Sequence, residues 1–184
     1  MQLTGNMDWI AFHKEFYFHE IERKFSLMRL MSLPVGVATL LASALLFLAG
    51  QLESLVTMFD IGLMILLCSS AILLFVSVYL MQRAYFGHAY HYVPTTQQIA
   101  TFKRELENYY RQRTHEKHAV ELADVETVEY LIGAFSTTTH HNSQVNDLRM
   151  RFIFWANVSL SGALFLLILS SLASVFDNLL PAVA

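Results

Sequence analysis

The chain has 184 residues, 55% of them hydrophobic, and a mean hydropathy of +0.43. Soluble domains are typically ~45–50% apolar, so the composition argues against an ordinary soluble domain. The formal net charge of −3 is close to neutral and by itself indicates no class of partner. The one cysteine, Cys68, excludes an intrachain disulfide and a cysteine-built metal site. No signal peptide is recognisable, because a long charged and aromatic stretch precedes the first apolar block.

The N-terminal region, residues 1–32, is predicted to be a cytoplasmic amphipathic helix. Asp8 is the predicted N-cap of a helix that ends near Met31. Three aromatic residues recur at helical spacing, namely Trp9, Phe12 and Phe16. These rings suit the lipid headgroup layer, and they equally suit packing on a cytoplasmic domain, so both interpretations stay open. Pro34 predicts a break where this helix meets the first apolar block.

Three uncharged apolar blocks, residues 33–50, 61–82 and 152–176, are predicted to be transmembrane helices. A bilayer core of ~30 Å requires roughly 20 residues of helix, which is close to the length of each block. Residues 51–60 then form a short external loop and residues 177–184 an external tail. Three such blocks in so short a chain predict a multi-pass membrane protein.

The basic residues define the predicted orientation. All 12 Lys and Arg residues lie before the first block or between the second and the third. Cytoplasmic segments of membrane proteins are enriched in Lys and Arg. The distribution therefore predicts a cytoplasmic N-terminus, a cytoplasmic middle region and an external C-terminus.

The middle region, residues 83–151, is predicted to be a small helical cytoplasmic domain. Thr95 and Gln98 form a capping-box pattern that starts one helix. A further helix is predicted at residues 119–135. Residues 136–142 are poor in helix formers and predict a break before a last helix that runs into the third span. The predicted fold class is therefore an all-α membrane protein.

Small and polar residues recur on one face of the third span, and the set is Ala156, Asn157, Ser159, Ala163, Ser170 and Ser174. The first span carries Gly36, Thr39, Ser43 and Gly50 on one side, and the second carries Gly62, Ser69 and Ser77. Small residues let helices approach closely in lipid, within one subunit or between subunits. A pore or helix-packing face on the third span is therefore expected. No span is charged, which argues against an ion-coupled transporter, and a pore made from three spans requires a homo-oligomer.

A basic set with neighbouring aromatic rings lies in the middle region, and it consists of Lys103, Arg104, Arg111, Arg113, Lys117, Tyr109 and Tyr110. Such a set suits a nucleotide, an oligonucleotide or an anionic lipid. It equally suits a solvated face balanced by nearby glutamates. His115 and His118 are three residues apart, which does not match the spacing of a zinc-protease signature. No catalytic motif, metal site or cofactor is predicted, and the protein is not expected to be an enzyme.

Two stretches carry a resemblance to a known family. The run His19-Glu20-Ile21-Glu22-Arg23-Lys24 leads towards Pro34 and Gly36. The later pattern comprises Ala134, Phe135, His141, Asn142, Asn146, Asp147, Arg149, Ala156 and Asn157. This layout resembles SLATT-type small bacterial membrane proteins, which are effectors of anti-phage defence systems.

The resemblance implies a pore-forming effector that depolarises or permeabilises the bacterial inner membrane. It also implies a cytoplasmic sensor or nucleotide-synthesising partner, with residues 103–117 as the surface that senses the signal. Helix continuity suggests that residues 142–157 couple that surface to the third span. The alternative function is a non-conducting scaffold that tethers a cytoplasmic partner to the membrane.

Overall fold

The computed structural model describes residues 2–51 and 58–179 of the chain. In this part of the chain the helices are α1 (Gln2–Leu30), α2 (Ser32–Gly50), α3 (Met58–Tyr85), α4 (Thr96–Arg111) and α5 (Glu116–Leu179). The described residues contain no strand, which confirms the predicted all-α class. Most of the predicted external loop, and the tail beyond residue 179, lie outside the described residues.

The chain divides into two compact units. The polar unit consists of Met1–Phe25 and His88–Asp147, and the span unit consists of Ser26–Gly87 and Leu148–Ala184. Helices α1 and α5 contribute residues to both units. Among the described residues, three helical stretches are long and apolar enough to cross a membrane, and they lie within Trp9–Gly50, Met58–Tyr85 and Glu116–Phe176.

The N-terminal helix begins earlier than its sequence suggested. Helix α1 starts at Gln2, so Asp8 lies inside the helix and its prediction as the N-cap is wrong. The chain turns at Met31, three residues before the predicted break at Pro34. Pro34 itself lies in the first turn of α2, where a missing backbone N–H costs little.

The start of α4 agrees with the sequence. Thr95 accepts a hydrogen bond from the backbone N–H of Gln98, and the Gln98 side chain accepts one from the N–H of Thr95. This reciprocal pair is the predicted capping box, which is confirmed. The turn that follows α3 contains Gly87 at a φ of 84°, a conformation that glycine adopts without a steric penalty.

Helix α5 contradicts one prediction, because it continues without interruption from Glu116 to Leu179. The predicted break at residues 136–142 is therefore wrong, and residues 119–135 and 152–176 are parts of the same helix. Intrinsic helix propensity is weak compared with tertiary contacts. Thr138 and Asn142, inside the expected break, are both buried, and the Asn142 side chain hydrogen-bonds to another segment. These contacts outweigh the poor propensity of the stretch.

In the span unit, α3 and α5 pack along matching rows of alternating large and small residues. The α3 row is Leu67, Ser70, Leu74, Ser77, Met81 and Ala84, and the α5 row is Ile153, Ala156, Leu160, Ala163, Leu167 and Ser170. Spacings of three and four residues keep each row on one face of its helix, as in coiled coils. We call these two rows the span seam.

Three hydrogen bonds show the antiparallel register of the span seam. The Ser70 hydroxyl donates to the carbonyl of Ala163, and the Ser77 hydroxyl donates to that of Ala156, each at 2.8 Å. At the end of the row, Nε of Arg149 donates to the carbonyl of Ala84 at 2.9 Å. Small residues at these positions let the two backbones approach closely enough for side chain to backbone hydrogen bonds.

Helix α2 completes the apolar core of this unit with Ala38, Leu41 and Leu45. The close approach of α3 and α5 is also evident at Gly162, where an added Cβ would lie 3.0 Å from Cδ1 of Leu73. Large apolar side chains remain exposed around the spans, for example Leu40, Phe75 and Phe165. Such an apolar surface is suited to contact with lipid.

Candidate functional site

In the polar unit, the buried face of α5 begins with alanines and becomes polar towards the span unit along the chain. Thr138, Asn142 and Asn146 follow each other at intervals of four residues and are all buried. Buried amides require hydrogen-bond partners, since an unsatisfied polar group costs about 1–3 kcal/mol. The partners come from α1 and from residues 88–95, which we call the connecting segment.

Asn142 holds the backbone of the connecting segment at two points. Its Oδ1 accepts from the N–H of His91 at 2.9 Å, and its Nδ2 donates to the carbonyl of His91 at 3.0 Å. The neighbouring His141 reaches the carbonyl of Ala89 with Nε2 at 3.0 Å. Because a carbonyl only accepts, Nε2 carries the proton in this contact. The His141 and His91 rings stack with centroids 3.7 Å apart and an angle of 8° between their planes.

Asn146 joins the connecting segment to α1. Its Nδ2 lies 2.8 Å from both the backbone carbonyl and the carboxylate of Glu20, and its Oδ1 accepts from the Tyr90 hydroxyl at 2.5 Å. The Glu20 side chain is buried and also lies 3.5 Å from a guanidinium nitrogen of Arg23. A buried carboxylate is tolerated only with such partners.

Charged side chains flank these amides. Arg23 donates to Asp147 at 2.6 Å, and Lys24 contacts the Tyr92 hydroxyl at 3.2 Å and lies over the Tyr90 ring. Burial lowers the pKa of the Arg23 guanidinium. Its hydrogen bond with Asp147 and the charge of Glu20 together raise that pKa by more than burial lowers it, so the net shift is upward. We call the whole network the polar clasp, and its members are Glu20, Arg23, Lys24, Tyr90, His91, Tyr92, His141, Asn142, Asn146 and Asp147.

The polar clasp was not recognised from the sequence as a site. Its hydrogen bonds between segments join residues 51 to 126 positions apart, so local patterns do not reveal them. One signal was available in the sequence. The helical spacing of Thr138, Asn142 and Asn146 indicates a buried face that continues, along the same helix, into the buried row that begins at Ile153. Several clasp residues also belong to the two stretches that carry the family resemblance, namely Glu20, Arg23, Lys24, His141, Asn142, Asn146 and Asp147.

The predicted basic set lies on α4, on the adjoining turn and at the start of α5, and two of its five cations contact carboxylates. Lys103 contacts Asp124 at 2.5 Å, and this hydrogen bond raises the pKa of the lysine. Arg111 lies 3.6 Å from Glu116 and 3.9 Å from Glu107. An anionic ligand therefore competes with these carboxylates for Lys103 and Arg111.

The two tyrosines of this set are also engaged. The guanidinium of Arg113 lies 3.6 Å from the centroid of the Tyr109 ring and donates to the Tyr109 carbonyl. The Tyr110 hydroxyl donates to Glu126, and this hydrogen bond raises the pKa of the phenol. Arg104 and Lys117 are exposed.

The predicted face of the third span is divided in the structure. Ala156, Ala163 and Ser170 are buried in the span seam, whereas Ser159 and Ser174 are half-buried and Asn157 is exposed. The three buried residues thus take part in packing within one protomer.

Most of the small and polar residues noted on the first two spans lie outside the packing within the protomer. Gly36, Thr39, Ser43 and Gly50 of the first span are exposed. In the second span, Ser77 lies in the span seam together with Ser70. Ser69, which the sequence grouped with Ser77, is half-buried, and Gly62 is exposed.

Over residues 2–51 and 58–179, these features define an all-α protein with three helices able to cross a membrane and a second, polar helical unit. In the described residues, no group of three or more His, Cys, Asp or Glu side chains is placed to hold a metal ion. Comparison with protein-family models, with curated proteins and with solved structures found no match.

Proposed function

We propose that this protein is an oligomeric, gated membrane effector that opens an ion-conducting pore. In this proposal the polar unit is cytoplasmic and receives the signal, which is a nucleotide or a contact from a partner protein. The spans of several copies surround the pore, and its opening depolarises the bacterial inner membrane. The resemblance to SLATT-type proteins adds the biological setting, which is defence against phage.

The observation that carries the proposal is the continuity of α5. This helix belongs to both units and has no break between Glu116 and Leu179. The polar clasp holds its first part through Asn142 and Asn146, and the span seam holds its second part. A ligand that changes the polar unit therefore acts on a helix that also forms part of the spans.

A single polar side chain supports assembly of several copies. Asn157 is exposed on α5 between exposed neighbours Trp155 and Val158. An amide at a lipid-facing position lacks hydrogen-bond partners, and polar groups in spans face other helices or water. A neighbouring copy or a water-filled pore supplies these partners.

The second candidate function is a non-conducting scaffold that anchors a cytoplasmic partner. It is favoured by the burial of Ala156, Ala163 and Ser170, because a face used for packing within the protomer does not line a pore.

The two functions differ in their effect on membrane potential. We would express the full chain in bacteria, alone and with its genomic neighbours, and follow the potential with a voltage-sensitive dye. The pore predicts depolarisation by the wild-type chain and its loss in Asn157→Leu. Val158→Leu is the matched control, since it changes the adjacent exposed position without removing a polar group, and it should depolarise like the wild type.

An undisturbed potential in every condition, at confirmed membrane expression, would reject the pore and favour the scaffold. Depolarisation that is equal in Asn157→Leu and in wild type would keep the pore but remove Asn157 from it.

A further inference from the structure

An open groove lies between α2 and α3 in the span unit. Its volume is about 910 Å³, and its walls are mainly apolar, with Val35 and Ala42 on one side and Leu74 and Val78 on the other. It is also lined by Met28, Met31 and Met81. Flexible thioether side chains adapt to irregular apolar ligands.

The groove covers only part of the spans. On α2 its lining runs from Ser32 to Ala42, and on α3 from Leu74 to Tyr85, the last residue of that helix. At ~1.5 Å per residue each wall is about 15 Å long. The hydrocarbon core of a bilayer is ~30 Å thick, so the groove matches the depth of one leaflet.

Apart from Thr39, the polar residues that line the groove lie at one end of it. Ser32, Gln82 and Tyr85 line the end where α2 begins and α3 finishes, whereas Ala42 and Leu74 line the opposite end. The Ser32 hydroxyl donates to the carbonyl of Arg29 at 2.8 Å, which puts the exposed Arg29 at this same end. Guanidinium groups bind phosphate oxygens well, and tyrosine is favoured at the level of lipid headgroups.

We propose that this groove is a specific binding site for one phospholipid. Its acyl chains lie between α2 and α3, and its phosphate lies at the polar end near Arg29. The site does not depend on the protein forming a pore.

The dimensions favour a lipid over a helix from a second copy. A transmembrane helix of another protomer needs a groove along the whole span, whereas this groove ends about halfway, at Ala42 and Leu74. Its polar end and neighbouring cation also match a molecule with apolar chains and an anionic headgroup.

The test is native mass spectrometry of the detergent-purified full chain after incubation with vesicles of phosphatidylglycerol or phosphatidylethanolamine. The wild type should retain one phospholipid per protomer. Val78→Trp, which fills the groove, should lower the retained fraction about tenfold, a difference of about 1.4 kcal/mol in binding.

Val76→Trp is the matched control, because Val76 is an exposed valine of α3 that does not line the groove, and it should retain lipid like the wild type. Arg29→Gln should lower phosphatidylglycerol retention more than phosphatidylethanolamine retention. Circular dichroism and elution volume should match the wild type in all three variants.

Equal lipid retention in the two tryptophan variants, or no retained lipid in the wild type, would overturn the proposal. Loss of oligomers in Val78→Trp alone, without retained lipid in the wild type, would assign the groove to a second copy of the chain.

Discussion

The two parts of α5 hold their neighbours in different ways. In the polar unit, Asn142 and Asn146 bind specific backbone and side-chain atoms of other segments. In the span unit, Ala156 and Ala163 contribute little more than their small size, and their carbonyls accept from serines of α3. Directional bonds define the contacts in the first part, and the fit of large against small residues defines those in the second.

The physical reason lies in the two surroundings. Water competes for hydrogen bonds around the polar unit, so each hydrogen bond adds little net stability there. The buried amides of Asn142 and Asn146 contribute mainly by selecting one partner over others. Lipid provides no hydrophobic drive for helices to associate, so close packing of small residues supplies the attraction. One helix therefore buries one residue about every turn along both parts, with two kinds of chemistry.

Overpacking the span seam should have the largest effect. Ala163→Leu places a bulky side chain at a fully buried position next to Ser70, and it should cost about 3 kcal/mol. Titration with a denaturing detergent, followed by circular dichroism, measures this loss. Ala71→Leu is the control, because Ala71 is exposed on α3, and it should unfold like the wild type. A stable Ala163→Leu variant would mean that close packing does not hold the spans together.

Breaking the polar clasp should have the next largest effect, confined to the polar unit. Asn146→Leu removes the hydrogen bonds that Asn146 makes with the Tyr90 hydroxyl and with the carbonyl and carboxylate of Glu20, at a cost of about 2 kcal/mol. Hydrogen exchange should become faster in the connecting segment and stay unchanged in α3. Gln144→Leu changes an exposed position of the same helix and should alter neither region. Faster exchange throughout α3 would contradict a division between the two kinds of contact.

Removing a seam hydroxyl should have the smallest effect. Ser77→Ala keeps the small size but loses the hydrogen bond to Ala156, and such bonds in membranes contribute about 0.6 kcal/mol on average. The same detergent titration as for Ala163→Leu measures it. A loss as large as that of Ala163→Leu would show that hydroxyl bonds, and not small size, stabilise the seam.

Composition and local patterns alone determined several features of this protein. Uncharged apolar blocks of sufficient length predicted three spans, because burial of apolar helix in lipid depends on composition and length. The capping box at Thr95 was also predictable, since all of its atoms lie within four residues.

Other features were decided only by the tertiary structure. The choice of Ser70 over Ser69 depends on how α3 is rotated against α5, which no single helix specifies. The helix through residues 136–142 persists because Asn142 gains partners 51 residues away, and these partners outweigh its weak propensity. The polar clasp exists for the same reason, because buried amides are stable only where the fold brings distant donors and acceptors to them.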